Sequence, residues 1–404
     1  TLEDLEKLIE RGRGVVFDIK FKNIKNKIGG TEAYISLSQC FDVTIKPEGV
    51  ANGRVMEAEI LCTTINEVDL RIISRCYTWE ICSVRNVIGF PMNYLPKEFL
   101  ASMLELYKLK TELKGVEEKA VEYMRSKGML NSCYGMCVTD FAKDTYTYKN
   151  GVWGIQKVDL KGKLDEYNKS KNRFLYYAWG IWITAYARRN LWMAILELRE
   201  DYVYSDTDSV KYLNPEKHQH FFDKYNIEIQ RKLQAMADYH GLDSVLFSPQ
   251  TIKGETKTLG IWELEGIYKN FKTLGAKRYL VEKQDGSFEL TVAGLPKNKG
   301  MSFIIKECNG ISDAVFDYFD DELTVPASES GKLGHWYIDE ETSPAIKDDP
   351  IKELRYKGKF VEVTALSGVF LGELEYTLSM AKRYIEFIEL FCGNYIDYGE
   401  IRGL

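Results

Sequence analysis

Six residues, Tyr204-Ser205-Asp206-Thr207-Asp208-Ser209, constrain this chain more than any other stretch. Apolar and polar residues alternate before and after them, which predicts strand, tight turn, strand. Two acids two positions apart at the tip of such a hairpin repel each other, and Asp is disfavoured in strands. A divalent cation removes the repulsion, and hard oxygen donors suit Mg²⁺ or Mn²⁺. The alternative is an acidic β-turn, because Asp and Ser are ordinary turn residues.

A second patterned stretch lies upstream, Lys127-Gly128-Met129-Leu130-Asn131-Ser132-Cys133-Tyr134-Gly135. Lys127, Asn131 and Tyr134 stand at i, i+4 and i+7, so a helix carries them on one face. That face offers a cation for phosphate, an amide for hydrogen bonding and a ring for a base or sugar. An amphipathic helix closed by a glycine is the other reading. The two stretches resemble motif C and motif B of family B DNA polymerases, in the family's order and at similar separation.

Three further stretches are similar to the protein-primed phage branch of that family. Thr184-Ala185-Tyr186-Ala187-Arg188 resembles its Thr-x-Ala-Arg helix, and Lys277-Arg278-Tyr279 resembles its Lys-x-Tyr element. The polar segment between motifs B and C stands where that branch inserts a loop tied to processivity and strand displacement. The resemblance implies an α+β fold, part of a polymerase right hand with palm sheet, helical fingers and a small thumb. It implies a sheet-rich, priming-protein-contacting region over 1–95 and a fingers hairpin with motif B over 96–137. The hairpin insertion then covers 138–173, the palm with motif C and the Lys-x-Tyr element 174–296, and the thumb and C-terminal region 297–404.

The roles implied are equally specific. Asp208 and Asp206 are the catalytic and metal-binding acids, holding two Mg²⁺ ions or Mn²⁺, with Asp208 as the bridging ligand. Lys127, Asn131 and Tyr134, with Lys110 and Lys114 by position, bind the deoxynucleoside triphosphate. Lys277, Tyr279, Thr184 and Arg188 bind primer–template DNA, Lys277 and Tyr279 holding the primer backbone and Arg188 the template or the terminal priming protein. Lys277 and Tyr279 are expected on one face of a strand.

One part of the family pattern is missing. Asp-x-x-Ser-x-Tyr-Pro, motif A, brings the second metal-clamping carboxylate, and no stretch here matches it. Asp18 has a comparable apolar setting, but Phe21-Lys22 follows, so it reads as a strand residue. The family's proofreading exonuclease, with its Asp-x-Glu motif, is likewise not expected in this chain. The expectation is the C-terminal part of a split or fragmentary DNA-directed DNA polymerase, partnered by a second polypeptide carrying motif A and the exonuclease. A non-catalytic DNA- or priming-protein-binding module is the alternative.

Bulk properties agree with a globular chain. It has 404 residues, 45% hydrophobic and 13% aromatic, enough for two to four subdomains. The N-terminal sequence lacks signal-peptide character and no apolar run spans a bilayer, so no membrane partner and a (host) cytoplasmic location are expected. The net charge of −6 argues against a uniformly basic nucleic-acid surface. Lysines and arginines nevertheless gather at 108–114, 188–189 and 269–278. None of the eight cysteines forms a paired CxxC site, and Cys133 and Cys137 read as packing residues.

Along the chain, strands are expected over 14–22 and 54–64, and helices over 96–115 and from 116 into motif B. An Asn-Gly hairpin is expected at 146–153, then polar sequence to 173. Helices at 175–198 and 216–239, strands over 258–292, one helix at 303–319 and a last helix at 374–391 complete the expectation.

Overall fold

The computed structural model describes residues 1–27, 33–149, 152–171, 173–338, 354–356, 359–361 and 368–378. The chain divides into two compact units, 1–145 with 156–264, and 146–155 with 265–404.

The first unit starts with α1 (Leu2–Glu10), whose Thr1 and Asp4 cap each other's backbone. In β1 (Arg13–Asn26), Val15, Phe17, Ile19 and Phe21 point inward while Lys20 and Lys22 face out. β2 (Cys40–Thr44) follows, then a small hairpin of β3 (Val50–Ala51) and β4 (Arg54–Val55). Its turn is Asn52-Gly53, both with positive φ, as a two-residue hairpin of this kind requires. β5 (Glu57–Asn66), α2 (Glu67–Cys76), β6 (Tyr77–Thr78) and β7 (Ile81–Pro91) complete an antiparallel sheet in which β1 is central. Asp18 is indeed a strand residue, paired with Thr64 on β5 and accepting from Thr64 Oγ1 at 2.6 Å and Asn86 Nδ2 at 2.7 Å.

Two helices not expected from the sequence, α1 and α2, pack on this sheet's core. Asn66 and Asp69 start α2 with a reciprocal cap, a signal hidden among strand-like neighbours. The helical hairpin is present as α3 (Lys97–Leu113) and α4 (Ala120–Cys137), joined through a 3-10 turn at Glu117–Lys119. Next come β8 (Thr145–Lys149) and β9 (Val152–Gln156); the Asn150-Gly151 turn lies outside the described residues.

The polar stretch before residue 173 is not all loop. It contains α5 (Leu160–Lys169), whose Tyr167 stacks on Phe141 at 4.5 Å. α6 (Tyr177–Leu198) then joins three cores of the first unit. Trp182 and Ala185 meet Val68 of α2, and Trp192 and Ile195 enter the sheet core. Ala194 and Leu198 meet Phe222. A helix apolar around much of its circumference has to be buried on several sides. β10 (Tyr202–Asp206) and β11 (Ser209–Tyr212) form the expected hairpin. α7 (Pro215–His240) begins with proline and ends at Gly241 with φ +63. Its Met236 and Ala237 pack with Leu100 and Leu104 of α3.

Strand structure does not return at 258. Residues 258–267 are irregular, and their polar backbone is satisfied in part by Asn226, whose side chain bonds both the N–H (2.8 Å) and carbonyl (2.9 Å) of Trp262. In the second unit, β12 (Tyr268–Thr273), β13 (Arg278–Lys283) and β14 (Phe288–Val292) form an antiparallel meander with Gly286 in the last turn. The single helix expected at 303–319 is two, α8 (Lys297–Glu307) and α9 (Ser312–Tyr318). Asn309 and Gly310 both take positive φ and end the first. They pack on the meander through Leu280, Leu290, Ile304, Val315 and Phe319.

β15 (Thr324–Val325), α10 (Ala327–Ser330), β16 (Lys332–Ile338), β17 (Leu354–Tyr356), β18 (Lys359–Val361), β19 (Gly368–Leu374) and β20 (Tyr376–Thr377) follow. The helix expected from 374 is strand up to Thr377, and from 379 it lies outside the described residues. Among the described residues no helix is long and apolar enough to cross a membrane. The seven described cysteines are free thiols.

Candidate active site

The paired acids sit where the alternation put them. Asp206 ends β10 opposite Ser209, leaving Thr207 and Asp208 as a two-residue turn. The turn is tighter than its composition suggests. Thr207, a β-branched residue, has φ +58, and the Asp208 N–H donates to the Asp206 carbonyl at 2.7 Å. A positive φ beneath an i to i+2 bond is the pattern of a strained γ-turn. Thr207 Oγ1 donates to Asp206 Oδ1 at 2.9 Å, and Ser209 Oγ to the Asp206 carbonyl at 3.1 Å. Asp206 is therefore half-buried and oriented, while Asp208 is exposed at the apex.

A bracing cluster at the hairpin's base has no counterpart in the sequence expectations. Asp201 accepts from His218 Nε2 at 2.9 Å and Asn214 Nδ2 at 2.6 Å, with Lys217 Nζ at 3.7 Å. Its backbone carbonyl accepts from Leu213 N–H at 2.8 Å, closing the strands together. The His218 bond first, then Asn214, holds the Asp201 carboxyl below its ordinary pKa. No local pattern announces this group, because His218 arrives from α7.

As a donor set, Asp206 and Asp208 offer hard carboxylate oxygens, the right chemistry for Mg²⁺ or Mn²⁺. Among the described residues, however, no group of three or more His, Cys, Asp or Glu side chains could hold a metal ion. Such ions take about six oxygens, so these two acids by themselves do not complete a coordination shell.

The second candidate surface is the α3–α4 hairpin. α4 carries Lys127, Asn131 and Tyr134, all exposed, Tyr134 at 39%. Lys127 Nζ lies 6.0 Å from the Tyr123 ring centre, and Lys110 Nζ 5.4 Å from that of Tyr107. Helix packing brings Lys110, Lys114 and Lys127 into one electrostatic field. Burial first, then the charges of Lys114 and Lys127, lower the pKa of Lys110. The end of α4 reaches α6 over Gly180, where a Cβ would come 2.1 Å from Val138 Cγ1 and 3.8 Å from the Tyr134 ring. Tyr134 belongs to none of the first unit's cores.

The Thr-x-Ala-Arg residues of α6 are engaged within the protein. Thr184 Oγ1 bonds the carbonyls of Gly180 and Ile181, each at 3.0 Å. Arg188 grips Asp69, Nη2 to Oδ1 at 2.9 Å and to Oδ2 at 3.2 Å, and its Nε donates to Tyr34 Oη at 3.1 Å. Tyr34 in turn donates to Asp69. Burial opposes the Arg188 charge, but Asp69 and Tyr34 outweigh it and raise its pKa. Glu67, two positions before Asp69 and buried, accepts from Trp182 Nε1 at 2.7 Å and from the Val15 N–H at 3.0 Å.

The Lys-x-Tyr element lies in the second unit. Lys277 is not on a strand face with Tyr279: it precedes β13 in a left-handed turn, φ +56, and is exposed. Alternation puts residues two apart on one face only within a strand, and Lys277 lies just before β13 begins. Tyr279, on β13, has its ring 5.6 Å from that of Phe271. The neighbouring basic run is partly spent internally. Lys269 pairs with buried Glu282 at 3.1 Å, and Lys272 Nζ donates to the Phe316 carbonyl at 2.8 Å.

No protein-family model matches this sequence, and no curated protein is significantly similar to it. Among solved structures, phi29 DNA polymerase bound to single-stranded DNA is similar with a TM-score of 0.51 at 16% identity, over 90% of this chain and 50% of that one. Phi29 DNA polymerase in a ternary complex with primer–template DNA and incoming nucleotide gives a TM-score of 0.49 at 17% identity, over 91% and 51%. The chain spans about half the length of these polymerase chains. The first likeness shows fold alone: a mixed helix and sheet fold that matches part of a polymerase.

Proposed function

We propose that this chain is the nucleotide-gripping and partly metal-binding portion of a protein-primed family B DNA polymerase. The observation that carries the reading is the packing of α3 against α4, which sets Lys110 of one helix and Lys127 of the other within reach of each other's charge, with Lys114 just past the end of α3. Folding gains nothing by gathering like charges. A triphosphate, with several negative charges, would relieve them. Lys127 comes from the stretch that resembles motif B, and the same chain carries the Asp206-Thr207-Asp208 turn.

In this reading Lys127, helped by Lys110 and Lys114, neutralises the triphosphate of a deoxynucleotide. Asn131 and Tyr134 face the nascent base pair. Asp208 and Asp206 would supply carboxylate oxygens to the cations, Asp208 as the principal ligand, and Asp201 with His218 holds their hairpin steady. Lys277 and Tyr279 hold the primer backbone, and Thr184 and Arg188 lie along the template or priming-protein path. Two divalent cations, when bound, would activate the primer 3′ hydroxyl and stabilise the departing pyrophosphate. The residues of this chain contribute position and charge complementarity.

Residues 1–404 alone are expected to extend no primer, because no stretch among them matches the motif A that brings the second metal-clamping carboxylate. Adding a motif A- and exonuclease-bearing portion should restore Mg²⁺-dependent synthesis. In that assembly Asp208→Asn should slow nucleotide addition at least about a thousandfold, roughly 4 kcal/mol of barrier, and Asp206→Asn less. Robust extension by the chain alone, or mild and equal losses at both acids, would defeat the proposal. The lack of a three-carboxylate group among the described residues favours one second reading, a non-catalytic DNA- or priming-protein-binding module. That module would bind DNA yet stay inactive with any motif A portion.

A further inference from the structure

The aromatic residues leading into α6 form a cluster apart from both the carboxylate turn and the lysine field. The rings of Tyr176 and Trp179 are stacked, centres 4.2 Å apart and planes within 10°. Phe174 meets Tyr176 edge-on at 5.0 Å, and Phe99 of α3 stands 5.7 Å from Phe174 and 5.4 Å from Trp179. None of these four rings is buried, and none belongs to a core of the first unit. Tyr176 is 46% exposed and its neighbour Tyr177 50%. The stack is nonetheless anchored, since the Tyr176 N–H donates to the Cys137 carbonyl at 3.0 Å.

Cations precede these rings along the chain. Lys169, Lys171 and Arg173 are all exposed, and no acid occurs between Asn168 and Trp179. Arg173 Nη1 donates to the Asn168 carbonyl at 2.5 Å, which holds its charge beside the end of α5. A pre-stacked aromatic group with open ring surface, preceded along the chain by three exposed cations, complements a ligand with flat apolar faces on an anionic backbone.

We propose that this cluster is a platform for the unpaired bases of a single-stranded nucleic acid, which stack on Tyr176 and its neighbours while Lys169, Lys171 and Arg173 follow the phosphates. Every base has a π-face, so such a platform takes any sequence. A duplex keeps its bases stacked on one another and presents none to the rings. The inference goes beyond the polymerase reading, because binding here needs neither metal nor nucleotide.

The test is equilibrium binding of the full chain to a fluorescent fifteen-residue oligothymidylate in EDTA, followed by anisotropy and tryptophan quenching. Tyr176→Ala should raise Kd roughly five- to a hundredfold, the usual effect of losing one base–aromatic stack. Tyr176→Trp should keep wild-type affinity, and Lys171→Ala should lower the salt slope by about 0.7, one phosphate's worth on a single strand. Unchanged affinity in Tyr176→Ala, no binding by the wild type, or equal binding and equal loss on a blunt duplex would overturn the platform. Failed primer extension by the reconstituted enzyme, with this titration as expected, would sink the polymerase reading alone.

Discussion

Arg188→Ala separates a structural from a nucleic-acid role for the arginine of α6. In the fold its guanidinium holds Asp69 with two nitrogens and touches the Tyr34 hydroxyl. Removing one partner of a fully buried pair costs about 3–5 kcal/mol, whereas an exposed pair is worth about 0–1 kcal/mol. The Asp69 side chain is 9% exposed and that of Arg188 42%, so the pair lies between these limits. After discounting for the water that reaches the guanidinium, Arg188→Ala should destabilise the first unit by about 2 kcal/mol.

Asp69→Ala should cost more. Besides the ion pair it removes half of the α2 cap, about 1 kcal/mol, and leaves the buried Tyr34 hydroxyl without its acceptor, about 1–2 kcal/mol. The sum is about 4–5 kcal/mol. Urea unfolding of both single variants and the double variant gives the coupling, expected at about 1–2 kcal/mol. A coupling below about 0.5 kcal/mol, with a clear loss of DNA affinity in Arg188→Ala, would refute the structural assignment and leave Arg188 with its proposed nucleic-acid role alone.

Four further outcomes follow from the geometry. Gly180→Ala places a Cβ against Val138 and should cost about 1–3 kcal/mol of thermal stability, and adding Val138→Ala should recover most of it. Tyr134→Ala should raise the apparent KM for nucleotide in the reconstituted enzyme while its Tm stays close to wild type. A cavity-sized loss near 3 kcal/mol with unchanged KM would remove Tyr134 from the nucleotide site. Lys277→Ala should weaken primer–template binding of any sequence and flatten its salt dependence by about one counterion, whereas a base-specific defect would contradict a backbone contact. The folded-state pKa of Asp201 lies below its ordinary value, so its contribution to stability is present above about pH 4 and is lost as pH falls through the folded value. Asp201→Asn should therefore flatten the acid side of the stability–pH curve, and an unchanged acid limb would show that the hairpin brace is weak.

How much of this was legible in the sequence differs from element to element. The carboxylate hairpin and the helix of Lys127, Asn131 and Tyr134 follow from local rules: alternation around a two-residue turn, and an i, i+4, i+7 spacing. Those rules act within one or two turns of backbone, so they survive whatever the rest of the chain does. Local signals also failed where they were short or ambiguous. α1, α2 and α5 span ten residues or fewer, and the 303–319 helix breaks at an Asn-Gly pair whose left-handed backbone a periodicity count does not register.

The sequence by itself therefore determined which chemical groups this protein presents and on which kind of element each one rides. Only the tertiary structure decided their company: three lysines drawn into one field by α3 and α4, and Arg188 bound to an acid 119 positions away. It also decided that His218 braces the carboxylate hairpin through Asp201, and that Lys277 leaves the strand for a left-handed turn. The physical reason is range. Backbone periodicity is set by sterics between near neighbours, whereas these partnerships arise when apolar faces of distant segments are buried together and carry their polar side chains with them.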